Sequence, residues 1–264
     1  MNNDQQSVKR SLELNILPNR EEMGNAAARE VSRAMKRIIK EKGGLTMAFA
    51  AAPSQNEFLA HLSRTKGVDW TKVICFHLDD YLDLPRFHPN TFEAYLQEHL
   101  FDHVRPRAVH FMKALKGGGE QVARQYAALI RRCGGLDIAC LGIGENGHIA
   151  FNEPGSDIWD SQMVRVVTID SRSVGQQFLD YQNHPNPKAR YPSLAAVPRR
   201  AITLTIPAIL SAKEIYAIVP GPRKANGTRK MWEGPVSSAC PSSALRLHSY
   251  ARIYLDGDSA GKLR

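Results

Sequence analysis

The chain has no run of roughly 18 consecutive apolar residues, so no membrane-spanning helix is expected. Its opening 20 residues are polar and lack the basic-then-apolar order of a secretory signal, which makes the cytoplasm the default setting. Cysteine is sparse: Cys75, Cys133, Cys140 and Cys240 stand far apart and form no C-x-x-C pair. That spacing excludes a disulfide framework and a zinc ribbon. The four read as reduced thiols, with Cys75 and Cys140 inside buried strands. Also missing is any basic stretch interleaved with aromatic residues. The net charge of +9 comes from 35 Lys and Arg against 26 Asp and Glu, but the basic pairs (Lys36-Arg37, Arg131-Arg132, Arg199-Arg200, Arg229-Lys230) are scattered. Nucleic acid is therefore not an expected partner, and the charge points only to a small anionic ligand. With no internal repeat, low-complexity tract or linker in 264 residues, one domain spanning 1–264 is expected, residues 1–20 being poorly ordered.

What the sequence does contain is alternation. Glu21 to Lys42 reads as a long helix, started by Pro18-Asn19 and stopped by Gly43-Gly44. Short apolar runs at 45–51, 73–78 and 136–141 read as buried strands, with further strands near 165–169, 201–206, 215–219 and 253–255. Helical spacing lies between them at 56–63, 91–101, 120–133, 171–179, 207–212 and 224–232, and an acidic loop follows Leu78. Strands of this length alternating with helices predict an α/β fold, a mostly parallel sheet covered on both faces. Ligands of such sheets bind beyond the carboxyl ends of the strands. The segment 181–198, with Pro185, Pro187, Pro192 and Pro198, predicts an irregular lid or surface loop.

After the third clear strand the chain spells Gly142-Ile143-Gly144-Glu145-Asn146-Gly147, a G-x-G-x-x-G. A dinucleotide site needs a helix to start at the third glycine, yet Pro154-Gly155 follow too soon to allow one of ordinary length. A nucleotide cofactor is not expected. The loop instead carries Glu145, Asn146, His148, Asn152 and Glu153. An imidazole and a carboxylate five residues apart can share proton transfer if the loop folds back. On composition alone, a turn-capping histidine beside a solvent-facing acid is the favoured reading. His77, His88, His99, His103 and His110 supply no coherent ligand set, and no metal is expected.

Gly142-Ile143-Gly144 followed by Asn146-Gly147-His148-Ile149-Ala150-Phe151-Asn152-Glu153-Pro154-Gly155 resembles the signature of the glucosamine-6-phosphate deaminases, relatives of the 6-phosphogluconolactonases. Phe76 to Tyr81, Phe101 to Val104, Asp170-Ser171-Arg172 and Gly221 to Ala225 are similar to further family segments in colinear order, from about Glu21 to Asp256. The resemblance implies a Rossmann-like α/β fold and cofactor-free conversion of glucosamine 6-phosphate, or a related amino-sugar phosphate, to fructose 6-phosphate and ammonia. It implies that His148 moves the ring-opening proton, that Asp79 is the enolising base, and that Glu153 supports the histidine with Asn146 beside it. Arg172 and Lys224 are implied phosphate ligands, joined by Ser54, while Asp80 reads as structural. Oligomeric state is left open, a homo-oligomer included.

Two departures stand out. The family's Gly-rich first phosphate loop is here Phe49-Ala50-Ala51-Ala52-Pro53-Ser54-Gln55-Asn56, its glycines replaced by alanines. Many deaminases also carry Asp where this chain has Asn146, and a neutral amide cannot hold an imidazolium by charge. The rivals are a 6-phosphogluconolactonase, which needs no enolising base, and a sugar-phosphate-binding regulator without turnover.

Overall fold

The computed structural model describes residues 11–183 and 186–264, the side chains of Ser11, Arg172, Gln176 and Asp180 excepted. In chain order the strands are β1 (Ser11–Leu17), β2 (Leu45–Phe49), β3 (Val73–His77), β4 (Asp79–Tyr81), β5 (Ala108–His110), β6 (Ile138–Leu141), β7 (Val164–Thr168), β8 (Arg200–Leu204), β9 (Glu214–Val219) and β10 (Tyr250–Asp256). The helices are α1 (Arg20–Lys42), α2 (Asn56–Arg64), α3 (Phe92–Leu96), α4 (Gly119–Arg132), α5 (Ser171–Tyr181), α6 (Ile206–Leu210), α7 (Ala225–Glu233) and α8 (Gly257–Ala260). Seven strands form one parallel sheet in the order β1-β10-β9-β6-β2-β3-β5. None of the helices among the described residues is long and apolar enough to cross a membrane.

Side-chain alternation along the central strands fills two cores. Met47, Phe49, Ile138, Cys140, Tyr216 and Ile218 face α1 and α2, whereas Ala48, Ala139, Leu141, Ile215, Ala217 and Val219 face the layer containing α4. This period of two is what a strand buried on both faces requires. The longest helix is fixed at both ends. Asn19 accepts the Glu22 N–H at 2.9 Å, and Gly43, at φ 76°, closes the other end by donating to the Ile39 carbonyl.

Three expectations change. Residues 1–20 are not uniformly without order: Ser11–Leu17 forms edge strand β1, parallel to β10, because Leu12 and Leu14 turn their side chains onto the core. Residues 1–10 lie outside the described residues. The acidic loop after Leu78 contains a strand, β4, that pairs antiparallel with β8. Finally, β7 and β8 do not join the main sheet. They form a separate antiparallel sheet in the order β4-β8-β7. Among its described residues, segment 181–198 carries two short 3-10 turns, Pro187–Ala189 and Leu194–Ala196. Its Tyr191 and Val197 pack with Tyr81, Phe151, Ile169 and Val174 over the small sheet.

Candidate active site

Because the seven strands are parallel, the loops after β2, β3, β6 and β9 open on one edge of the sheet. Strand order is built outward in opposite directions from β2 and from β6, and the gap between them is the position where open α/β sheets receive ligands. Ser54 follows β2, Asp79 follows β3, Asn146 to Glu153 follow β6, and Lys224 follows β9. Arg172 lies on the first turn of α5, and its side chain is outside the described residues.

The β6 loop runs into no helix; its next regular feature is a bridge between Ile149 and Asn152. It is closed by Gly144 N–H donating to the His148 carbonyl at 2.9 Å and Gly147 N–H donating to the Gly144 carbonyl at 3.0 Å. Gly144 must lack a side chain, since a Cβ there would fall inside the His148 ring. Ala150 occupies the left-handed region at φ 51°, a conformation that costs a non-glycine residue about 1 kcal/mol. Neighbouring bonds hold it there. The Phe151 N–H donates to Thr203 Oγ1 at 3.2 Å, and Asn152 Nδ2 donates to the carbonyls of Ile149 and Leu204, each at 2.8 Å.

Hydrogen-bond directions assign the state of the histidine. Asn146 Nδ2 donates to Glu153 Oε2 at 2.7 Å, so the amide oxygen faces the other way. That oxygen accepts from the His148 backbone N–H at 3.0 Å and lies 2.8 Å from His148 Nδ1. Since a carbonyl can only accept, Nδ1 carries a proton, and Nε2 is the ring nitrogen left to exchange one. Glu153 Oε2 is 3.5 Å from Nδ1, near enough to stabilise an imidazolium when one forms. Burial pushes the Glu153 carboxyl up. The hydrogen bond and charge of His148, with Ser173 and Asn146, outweigh that effect and hold it at about 2.

The Asp79 station is built differently. Asp79 is 6% exposed, and burial, reinforced by the neighbouring Asp80 carboxylate, pushes its carboxyl well above the ordinary range. Asp80 is fully buried and accepts the backbone N–H groups of Tyr81, Phe92 and Glu93 at 2.8, 3.1 and 3.2 Å, which anchors β4 to the start of α3. Burial raises it to about 7 against the pull of those bonds and of Lys113. The structural reading of Asp80 fits this geometry.

The two stations are linked. Asp79 pairs in register with Thr203, whose hydroxyl holds the Phe151 N–H of the histidine loop. The Phe151 ring stacks on Phe92 at 5.6 Å and packs on Tyr81 at 5.2 Å. On the other side, Glu145 forms an ion pair with Arg223 at 2.5 Å, tying the histidine loop to the turn that carries Lys224. Two contributors escaped sequence reading. Ser173, placed by Asp170 capping α5, donates its hydroxyl to Glu153 Oε1. Gln55, 1% exposed, lies beside Ser54 and beneath the β6 loop. The only sequence signal for Ser173 is its place three residues after a capping aspartate.

Residues 18–179 match the family described as glucosamine-6-phosphate isomerases/6-phosphogluconolactonase. The chain is 32% identical over 248 residues to a glucosamine-6-phosphate deaminase of Exiguobacterium sibiricum, spanning 94% of this chain and 92% of that one. It is 36% identical over 200 residues to glucosamine-6-phosphate deaminase 2 of Bacillus subtilis, spanning 75% and 76%. Among solved structures, a monomeric glucosamine-6-phosphate deaminase is similar with a TM-score of 0.84 at 29% identity, covering 95% of this chain and 99% of that one. A 6-phosphogluconolactonase from Shewanella baltica is similar with a TM-score of 0.74 at 16% identity, covering 94% and 99%, a likeness of fold alone.

Proposed function

The chain belongs to the glucosamine-6-phosphate isomerase/6-phosphogluconolactonase family, and from that premise we propose that it converts glucosamine 6-phosphate and water to fructose 6-phosphate and ammonia. The observation that carries this reading is the hydrogen-bonded run Glu153–Asn146–His148, which fixes a proton on His148 Nδ1 and leaves Nε2 as the nitrogen that exchanges protons with the sugar. Such a nitrogen takes the proton of the C1 hydroxyl and returns it to the ring oxygen, opening the sugar. The transient imidazolium is stabilised by Glu153, which is anionic throughout the neutral range.

Aldose–ketose isomerisation then needs a base that removes the proton on C2 and places it on C1. Asp79 takes that role. Burial and the neighbouring Asp80 push its carboxyl up and so work against the ionised form that a base needs. The amino sugar supplies the correction, because its protonated amine sits on the same carbon that loses the proton. A cation that close favours the ionised carboxylate, so the substrate activates its own base. Water adds to the resulting C2 imine, ammonia leaves, and the ketone remains. Ser54, Lys224 and Arg172 receive the phosphate: the lysine as a point charge, the arginine through a planar fork. Four free cysteines, two of them sealed in β3 and β6, fit work in a reducing cytoplasm.

Incubation of the purified protein with glucosamine 6-phosphate is expected to release ammonia and fructose 6-phosphate in equal amounts. Turnover of 6-phosphogluconolactone instead would make the protein a hydrolase, and saturable binding without product would make it a regulator.

A further inference from the structure

The first glycine of the β6 loop points to a residue that the family signature does not cover. A Cβ on Gly142 would lie 3.2 Å from Gln55 Nε2, 3.4 Å from Ser54 Oγ and 3.7 Å from the Ile218 carbonyl oxygen. Loops or strands from β2, β6 and β9 therefore meet at one point, with the Gln55 carboxamide between them. Its Nε2 donates to Ser54 Oγ at 3.1 Å and to the Ile218 carbonyl at 3.1 Å. The direction of these bonds is forced. The Ile218 carbonyl can only accept, so the amide must present its NH2 group there. An amide NH2 cannot accept, so the Ser54 hydroxyl must accept from it. The hydroxyl proton of Ser54 is then left to donate outward, and the accepted bond strengthens that donation.

We propose that Gln55 is a positioning residue for the phosphate subsite, fixing Ser54 so that its hydroxyl proton is delivered to the substrate phosphate. This rests on the reading that Ser54 faces a sugar phosphate. It also gives a physical answer to the alanine-substituted loop. With Ala51 and Ala52 in place of glycines, one oriented hydroxyl stands in for a flexible backbone cradle. Bonds from two other helices keep the loop in place. Arg20 Nη2 donates to the Pro53 carbonyl at 2.9 Å, and the Tyr95 hydroxyl lies 2.7 Å from the Ala52 carbonyl. The carboxamide is buried and both its N–H groups are used, so its orientation cannot reverse without leaving a polar group unpaired.

Gln55→Glu tests this with almost no change of shape. The carboxylic side chain now demands the Ser54 proton, turning that hydroxyl from a donor to phosphate into a donor to residue 55. Losing one hydrogen bond to a charged group weakens phosphate binding by about 10-fold to 100-fold. The measurements are KM and kcat for glucosamine 6-phosphate, together with the affinity of inorganic phosphate by calorimetry, for Gln55→Glu, Ser54→Ala and the double variant. KM and the phosphate Kd are expected to rise by that factor while kcat changes less than 3-fold or so. The double variant is expected to be no worse than the worse single one, because both changes remove the same bond. Gln55→Met, which keeps the bulk and removes both donors, covers the case in which the glutamate variant does not fold. It should raise KM by a smaller factor, again without adding to Ser54→Ala. Additive losses, or unchanged phosphate affinity in a folded variant, would overturn the proposal. A wild-type protein that binds phosphate through this cycle yet releases no ammonia would overturn the deaminase reading and leave the role of Gln55 intact.

Discussion

Asp79 has no hydrogen-bond partner for its carboxylate among the described residues and stands next to a second buried acid, whereas Glu153 is held by Asn146, Ser173 and a nearby imidazole. Both are largely withdrawn from water, yet burial and the Asp80 charge set the direction at the first, and hydrogen bonds and the His148 charge override burial at the second. The first is pushed up and the second is held at about 2. Carboxyl groups whose environments drive them apart divide the labour of proton transfer. Glu153 stays charged and organises its neighbours. In the proposed mechanism Asp79, pushed up by burial and by Asp80, is the carboxyl whose protonation a nearby cation changes.

Removing the carrier should break the contrast most severely. Asp79→Asn is expected to lower kcat by about 10³-fold to 10⁴-fold and abolish exchange of the C2 proton with solvent deuterium, with sugar phosphate still bound. Exchange that persists would assign the base elsewhere. Next in size, Glu153→Gln replaces an obligate acceptor by an amide. Asn146 can then turn over and present its NH2 to His148 Nδ1, moving the ring proton to Nε2. A loss of about 10-fold to 100-fold in kcat/KM is expected, with ¹⁵N NMR reporting the exchanged tautomer. An unaltered tautomer would sink the relay.

Asn146→Asp sharpens the comparison rather than breaking it. The new carboxylate would stand where an NH2 now meets Glu153 at 2.7 Å, adding negative charge beside the ring. An imidazolium is then favoured, and the acid limb of the pH–rate profile should move up by about one unit. An unchanged profile would mean that the identity of residue 146 has no electrostatic role. The smallest effect on rate is expected for Asp80→Asn, which reads out in stability. Asp80 holds its proton up to about 7 in the fold but only to about 4 when unfolded, so the folded protein binds more protons across that window. Its contribution is therefore greatest at the acid end and falls as pH rises to about 7. Glu153 acts with the opposite sign, losing its contribution as pH drops from about 4 toward 2. Between about pH 5 and pH 7 the wild-type thermal midpoint should fall by about 5 °C relative to that of Asp80→Asn, a difference from which the other buried groups, Asp79 and His77, largely cancel. Equal slopes would show that Asp80 does not govern this window.

Much of the frame was legible from residue pattern. Asn19 and Gly43 mark the ends of α1 because capping is local chemistry, and the apolar runs of β2, β3 and β6 are unambiguous because both faces are buried. Strand β4 was not legible: three residues, two of them acidic, carry no periodicity, and only pairing with Thr203 and its neighbours makes them a strand. Nor could the short apolar runs at 164–168 and 200–204 disclose which sheet they join, since pairing partners are set by residues distant in sequence. At the site, His148, Glu153 and Asp79 are singled out by family resemblance, not by their spacing. Gln55 and Ser173 were missed because a polar side chain gains its meaning from partners distant in sequence, here Ile218 and Glu153.

The two glycines at 142 and 144 carry a consequence for reading other sequences. Each leaves room for a side chain from another position, the first for the Gln55 amide and the second for the His148 ring. They can therefore drift only in step with those partners. A relative with a bulkier residue at the second position must have moved its histidine, and one with a bulkier residue at the first must have shifted the glutamine amide by at least a few tenths of an ångström. Two letters of sequence thus serve as a gauge of whether the imidazole and the serine-orienting amide are still seated.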